Sequence, residues 1–150
     1  MKLTPNFNLS EFLADGDEFR PNEIQLANLK RLARALEQLR AMVGQPIRIT
    51  SGFRSPAYNR KVGGAPASPH TLGLAVDIVT DNQTKWAALA SGIPAIGGIG
   101  LYPGRGFIHL DIRIRGKDKL IKTWQQVDGK YVNLDPETRR RLIEIGCIDI

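Results

Sequence analysis

Between Pro21 and Gly44, apolar residues recur at three- and four-residue steps: Leu29, Leu32, Leu36, Leu39 and Val43. That period predicts an amphipathic helix, with Pro21 suited to the first turn and Gly44 to the end. Lys30, Arg31, Arg34 and Arg40 fall largely on the opposite, solvated face. The pattern then changes to alternation. "PIRIT" (46–50) sets Ile47 and Ile49 on one face and predicts a strand, as does "LAVDIVT" (74–80). "GGIGLYP" (97–103) and "FIHLDIRI" (107–114) predict two more, joined by the tight "PGRG" connection. "TWQQV" and "KYVNL" flank an Asp-Gly pair, the signal of a hairpin.

Between these elements the punctuation is clear. "NLSEF" opens with Asn8 or Ser10 as a cap and predicts a short N-terminal turn. "SGFRSPAYNRKVGGAPASP" (51–69) is rich in Gly, Ser, Pro and Asn and predicts an ordered loop or a pair of turns. "TKWAALASG" predicts a short helix closed by Gly92, and "DPETRRRLIEIG" (135–146) a last helix with Asp135 as cap and Pro136 in its first turn. Helices and locally paired strands in this mixed order imply an α+β fold: a small antiparallel sheet with flanking helices. Neither an internal repeat nor a linker interrupts the chain, so residues 1–150 read as one domain with a C-terminal appendage over about 116–150.

Composition narrows the function classes. No stretch approaches the ~18–20 apolar residues of a membrane span. The first residues, "MKLTPNFNLSEFLADGDEF", lack the apolar core and cleavage site of a signal peptide, which leads us to expect a product made in the cytoplasm. Cys147 is the single cysteine, so a Cys-based zinc cluster is excluded, and its apolar neighbours give it a packing role. The formal charge of +6 favours an anionic partner, whether nucleic acid, membrane surface or bacterial wall polymer, or simply a solvated surface. The sequence carries no zinc finger, aromatic RNA-binding signature or long basic helix, so nucleic acid is not the expected partner.

The chain has two histidines, and each has a carboxylate nearby. His70 precedes Asp77 by seven residues, and His109 precedes Asp111 by two. A catalytic zinc takes three protein ligands and keeps a position open, so a His–Asp–His set would use every histidine present. Phe107, His109 and Asp111 share one strand face, and His109 can meet Asp77 if the two strands are neighbours. Asp111 then lies roughly 6.6 Å further along the strand, close enough to orient a ligand or a water. A histidine in an apolar strand can also simply pack. Asp77, between Val76 and Ile78, is harder to read that way, because a buried carboxylate is costly unless paired or metal-bound.

"SPHTLGLAVDI" (68–78) resembles the S-x-H-x-x-G-x-A-x-D segment of the zinc peptidases that cut peptidoglycan peptides. This is the D-alanyl-D-alanine carboxypeptidase group, related in fold to lysostaphin-type peptidases and the hedgehog signalling domain. "ITSGFRSPAYN" is similar to the group's upstream arginine segment, and "GIGLYPGRGFIHLDIR" to its final strand pair. The likeness runs over about residues 6–115. It implies His70, Asp77 and His109 as ligands of Zn2+, Arg54 holding a substrate carboxylate or carbonyl, and Ser68 and Tyr102 contacting substrate. Many members carry an acid three residues before the last ligand, or a histidine two before it. Here Gly106 and Phe107 stand at those positions, which leaves Asp111 to orient the water or accept its proton.

The implied activity is hydrolysis of an amide bond in a bacterial wall peptide, as a carboxypeptidase or endopeptidase. The expected protein is a monomer, acting as a phage lysin or as a virion component that opens the wall. The alternative is a non-catalytic module of the same fold that binds zinc and wall peptide or a partner protein.

Overall fold

The computed structural model describes residues 1–132 together with Leu134, Glu137, Arg140 and Glu144. Strands β1 (Lys2–Thr4) and β2 (Phe7–Asn8) pair as a small antiparallel ribbon that the sequence patterns did not predict. A single 3-10 turn over Leu9–Phe12 follows, capped by Asn8, whose backbone N–H donates to Glu11 Oε2 at 2.7 Å. Helix α1 spans Glu23–Val43. Asn22 accepts from the Gln25 backbone N–H and donates its own to Gln25 Oε1, both at 2.8 Å, a reciprocal cap that satisfies two otherwise orphaned donors. Gly44 ends the helix at φ +71, where a side chain would be strained. Leu29, Leu32, Leu36 and Leu39 are buried, while Lys30, Arg31 and Arg34 are exposed.

The main sheet has six strands in the order β3 (Ile49–Ser51), β4 (Ala75–Val79), β6 (Phe107–Asp111), β5 (Gly98–Tyr102), β7 (Lys122–Val127), β8 (Lys130–Val132). Neighbours are antiparallel except β5 and β7, which run parallel. The Asp-Gly turn between β7 and β8 takes φ +52 at Asp128 and +76 at Gly129, the left-handed pair that a two-residue hairpin requires. Helix α3 (Gln83–Ser91) is held by the Asn82 cap and closed by Gly92.

One correction falls in the polar segment after β3. Pro56–Lys61 form a short helix, α2, where turns alone were expected. Ser55 Oγ accepts from Tyr58 N–H at 3.1 Å and Pro56 sits in the first turn, so the start is a capped one. Six residues are too few to display an apolar period. Of the expected helix over 135–146, only Glu137, Arg140 and Glu144 are described. All three are helical, with Arg140 Nη1 donating to Glu144 Oε1 at 2.8 Å. Asp135, Pro136 and Cys147 lie outside the described residues.

The two faces of the sheet differ in chemistry. Val76, Ile78, Ile99, Leu101, Ile108 and Leu110 point to one side and join Leu29, Leu32, Leu36, Trp86, Ala87 and Ala90 in the core. The alternate positions, Asp77, His109, Asp111 and Gly100, face the other way, where Asp77 and His109 line an open cleft. A helix layer that buries one face therefore leaves the chemistry on the other. No helix among the described residues is long and apolar enough to cross a membrane.

Candidate metal centre and cleft

β4 and β6 are neighbours in antiparallel register, with Asp77 opposite His109. His70 arrives from the 3-10 turn Pro69–Leu72, which Ser68 caps by accepting His70 N–H at 3.2 Å and which Gly73 ends at φ +74. His70 Nε2 stands 3.4 Å and His109 Nδ1 3.3 Å from the same oxygen, Asp77 Oδ1. Ligands about 2.0–2.1 Å from a tetrahedral zinc lie roughly 3.3–3.4 Å apart, so these spacings are compatible with donors to one tetrahedral metal ion.

The outer nitrogens fix which atoms face the centre. His70 Nδ1–H donates to the Gly52 carbonyl at 2.7 Å, which turns its Nε2 toward Asp77 Oδ1. His109 Nε2–H donates to Asp111 Oδ2 at 2.7 Å, which turns its Nδ1 toward the same oxygen. This is the usual way a protein sets the tautomer of a ligating histidine. All three candidate ligand atoms lie within 4.8 Å of one another. The residues fit a zinc ion.

Asp111 lies behind His109, fully buried, and is absent from the cleft wall. Its Oδ1 accepts from Arg113 Nε at 2.8 Å and its Oδ2 from Arg113 Nη2 at 2.7 Å, a two-pronged pair that compensates its burial. Gly98 lies beside it in register, and a Cβ there would stand 2.5 Å from Asp111 Oδ1. The carboxylate occupies the space that the glycine leaves.

Arg54 reaches the cluster from the residue after Phe53. Its Nε donates to Ser51 Oγ at 3.0 Å, its Nη1 to Asn59 Oδ1 at 3.1 Å, and its Nη2 pairs with Asp77 Oδ2 at 3.4 Å. A guanidinium has five N–H groups, so one on each terminal nitrogen remains for a ligand. Ser68 and Tyr102 line the same cleft, which encloses about 800 Å³. Tyr102 is stacked on Phe107 at 4.4 Å, and the Gln83 side chain both accepts from its backbone N–H and donates to its carbonyl, each at 2.7 Å.

Charge is arranged tightly. Burial alone would raise the Asp77 pKa, but hydrogen bonds from His109 and His70 outweigh it and hold it well below the usual carboxylate range. Asp111 is held low in the same way, against burial, by His109 and Arg113. Burial pushes the His70 imidazole down. His109 goes the other way: burial works against its charge, and the bonds to Asp111 and Asp77 win, raising it. Burial pushes the Tyr102 phenol up to about 12, which keeps it a neutral O–H donor.

The family model for Peptidase M15 matches residues 5–111, more than half of the chain and including every candidate ligand. The chain belongs to the M15 peptidase family. This is the zinc D-alanyl-D-alanine carboxypeptidase-like group whose motifs the sequence resembles, and its members are metal-dependent peptidases. No curated protein matches the chain. Within the M15 frame, the sequence picked out the residues that converge: His70, Asp77, His109 and Arg54. It missed Gly52, Asn59 and Arg113, which hold those side chains, and Trp124, which walls the cleft. Only the alternating glycines of "GGIG" signalled that neighbouring side chains would fold over β5.

Proposed function

We propose that this chain hydrolyses an amide bond in bacterial wall peptides with a zinc ion held by His70, Asp77 and His109. The observation that carries the reading is the pair of 3.3 and 3.4 Å spacings about Asp77 Oδ1, on the floor of an open cleft beside Arg54. When bound, zinc supplies Lewis acidity and activates water for attack at neutral pH. Arg54 offers its two remaining N–H groups to the carboxylate or carbonyl of the peptide, where a planar fork suits best. Ser68 and the neutral Tyr102 hydroxyl add donors along the same wall. Asp111 acts on His109, holding the ring with Nδ1 toward the cluster. We assign it to orienting that ligand, since both of its oxygens are engaged and it stays out of the cleft.

One observation favours a second reading, a module that binds wall peptide without cutting it. Asp77 is the sole carboxylate among the described residues that line the cleft, and Gly106 and Phe107 cannot take a proton. Incubating purified peptidoglycan with the protein, with and without a chelator, separates the two. Chelator-sensitive release of fragments whose masses correspond to one cleaved amide bond supports the peptidase. Binding to the wall with no release under either condition would establish the module instead.

A further inference from the structure

The segment matched to the M15 family ends at residue 111, but the cleft does not. Ser51, Asp77, His109, Gly100 and Trp124 stand at one register level across five strands, so β7 continues the ligand row. Gly100 makes this continuation work. A Cβ there would lie 2.5 Å from Trp124 Nε1, so the indole occupies the vacated space and comes within 5.0 Å of the His109 ring. Trp124 Nε1 is buried beside the candidate centre, with the Tyr102 hydroxyl as its neighbouring acceptor and no closely aligned hydrogen bond among the described residues.

Two cations line the same cleft on either side of Trp124 along β7. Arg105 lies 5.3 Å over the Phe107 ring and donates to Gln126 Oε1 at 3.3 Å, which fixes its position without neutralising it. Lys122, exposed at the start of β7, lines the cleft with it. Asp77, the sole carboxylate among the described lining residues, belongs to the metal cluster, and Arg54 stands at its other side.

We propose that Arg105, Lys122 and Trp124 form a second anionic subsite, across the metal cluster from Arg54. Its occupant is a carboxylate-bearing residue of the substrate peptide, with Arg105 and Lys122 facing the carboxylate and the indole N–H donating to a substrate oxygen. The inference rests on the peptidase reading and deepens it.

The test uses the zinc-loaded full chain and two probes, a soluble wall stem peptide with free carboxylates and its fully amidated counterpart. Binding is followed by tryptophan fluorescence, since Trp86 is buried in the core and Trp124 faces the cleft. The free acid should bind at least about tenfold more tightly, the scale of a charge-assisted hydrogen bond. Arg105→Gln combined with Lys122→Gln should cut that preference severalfold, with zinc content and melting temperature unchanged. Trp124→Phe should weaken binding and abolish the fluorescence response. A preference that survives the double substitution, or saturation by peptide with no change at Trp124, overturns the proposal, as does a failure of both peptides to bind. Hydrolysis is scored separately: intact binding preference without cleavage would sink the peptidase reading and leave the subsite standing.

Discussion

At the scale of single residues, the site depends on what stands behind each ligand. Asp111 touches His109 and Arg113 and nothing in the cleft, so its role is exerted through the imidazole. Asp111→Asn keeps the shape and removes the charge. Zinc affinity should fall by ~10–100-fold, the usual cost of losing such a support. Competition with a chromophoric chelator measures it, and unchanged affinity would remove Asp111 from the site. Arg54 differs, because its fork both braces Asp77 and faces the cleft. Arg54→Lys keeps the charge but loses the bonds to Ser51 and Asn59, so turnover should drop by at least about tenfold while zinc stays bound. Normal turnover per folded molecule would make the arginine a brace only.

At the scale of elements, β5 works through what it lacks. Gly98 and Gly100 alternate on its cleft face, and each leaves room for a side chain from a neighbouring strand: Asp111 from β6 and the Trp124 indole from β7. Gly98→Ala drives a methyl into the Asp111 carboxylate. Displacing a buried, paired carboxylate should destabilise the fold by about 1–3 kcal/mol, the range for overpacked sites, and should weaken zinc binding along with it. Thermal melts of the metal-free chain read the first effect and chelator competition the second. A fully stable variant would show that β6 can yield there.

At the scale of the whole molecule, folding and metal binding share the same ionisable groups. In the metal-free chain the His109 pKa is raised by Asp111 and Asp77, so its proton contributes stability below the unfolded value of about 6.5, lost as pH rises through the folded value. Zinc needs the Nδ1 lone pair and must displace that proton. Affinity should therefore climb as pH rises through the raised His109 value, with proton release on binding that calorimetry in buffers of different ionisation heat detects. The carboxylates set the acid limit. Asp77 and Asp111 are held below their unfolded range, so their contribution is present above about pH 4 and disappears as pH falls through the folded values. Zinc at ~100 times its Kd should add about 2.7 kcal/mol of stability, seen as a rise in melting temperature that a chelator reverses. Equal melting curves with and without zinc would contradict the centre described here.

The sequence by itself determined whatever depends on residues a few positions apart. The leucine period of α1, its stop at Gly44, the left-handed Asp128–Gly129 turn and the strand alternation are all local and were legible, whereas the caps at Asn22 and Asn82, the six-residue α2 and the β1–β2 ribbon were not. The residue types for a metal site were legible too, through two histidines with carboxylates nearby and the resemblance of their segments to the zinc peptidases. Tertiary structure alone decided which nitrogen of each histidine faces Asp77, since that is set by the Gly52 carbonyl and by Asp111 in its pairing with Arg113. It also decided that β7, far along the chain, lines up with the ligand row through Gly100. The reason is one of range. Local geometry follows from short-range sterics and periodicity, whereas register between distant strands follows from the packing of the whole core, which no short stretch of sequence encodes.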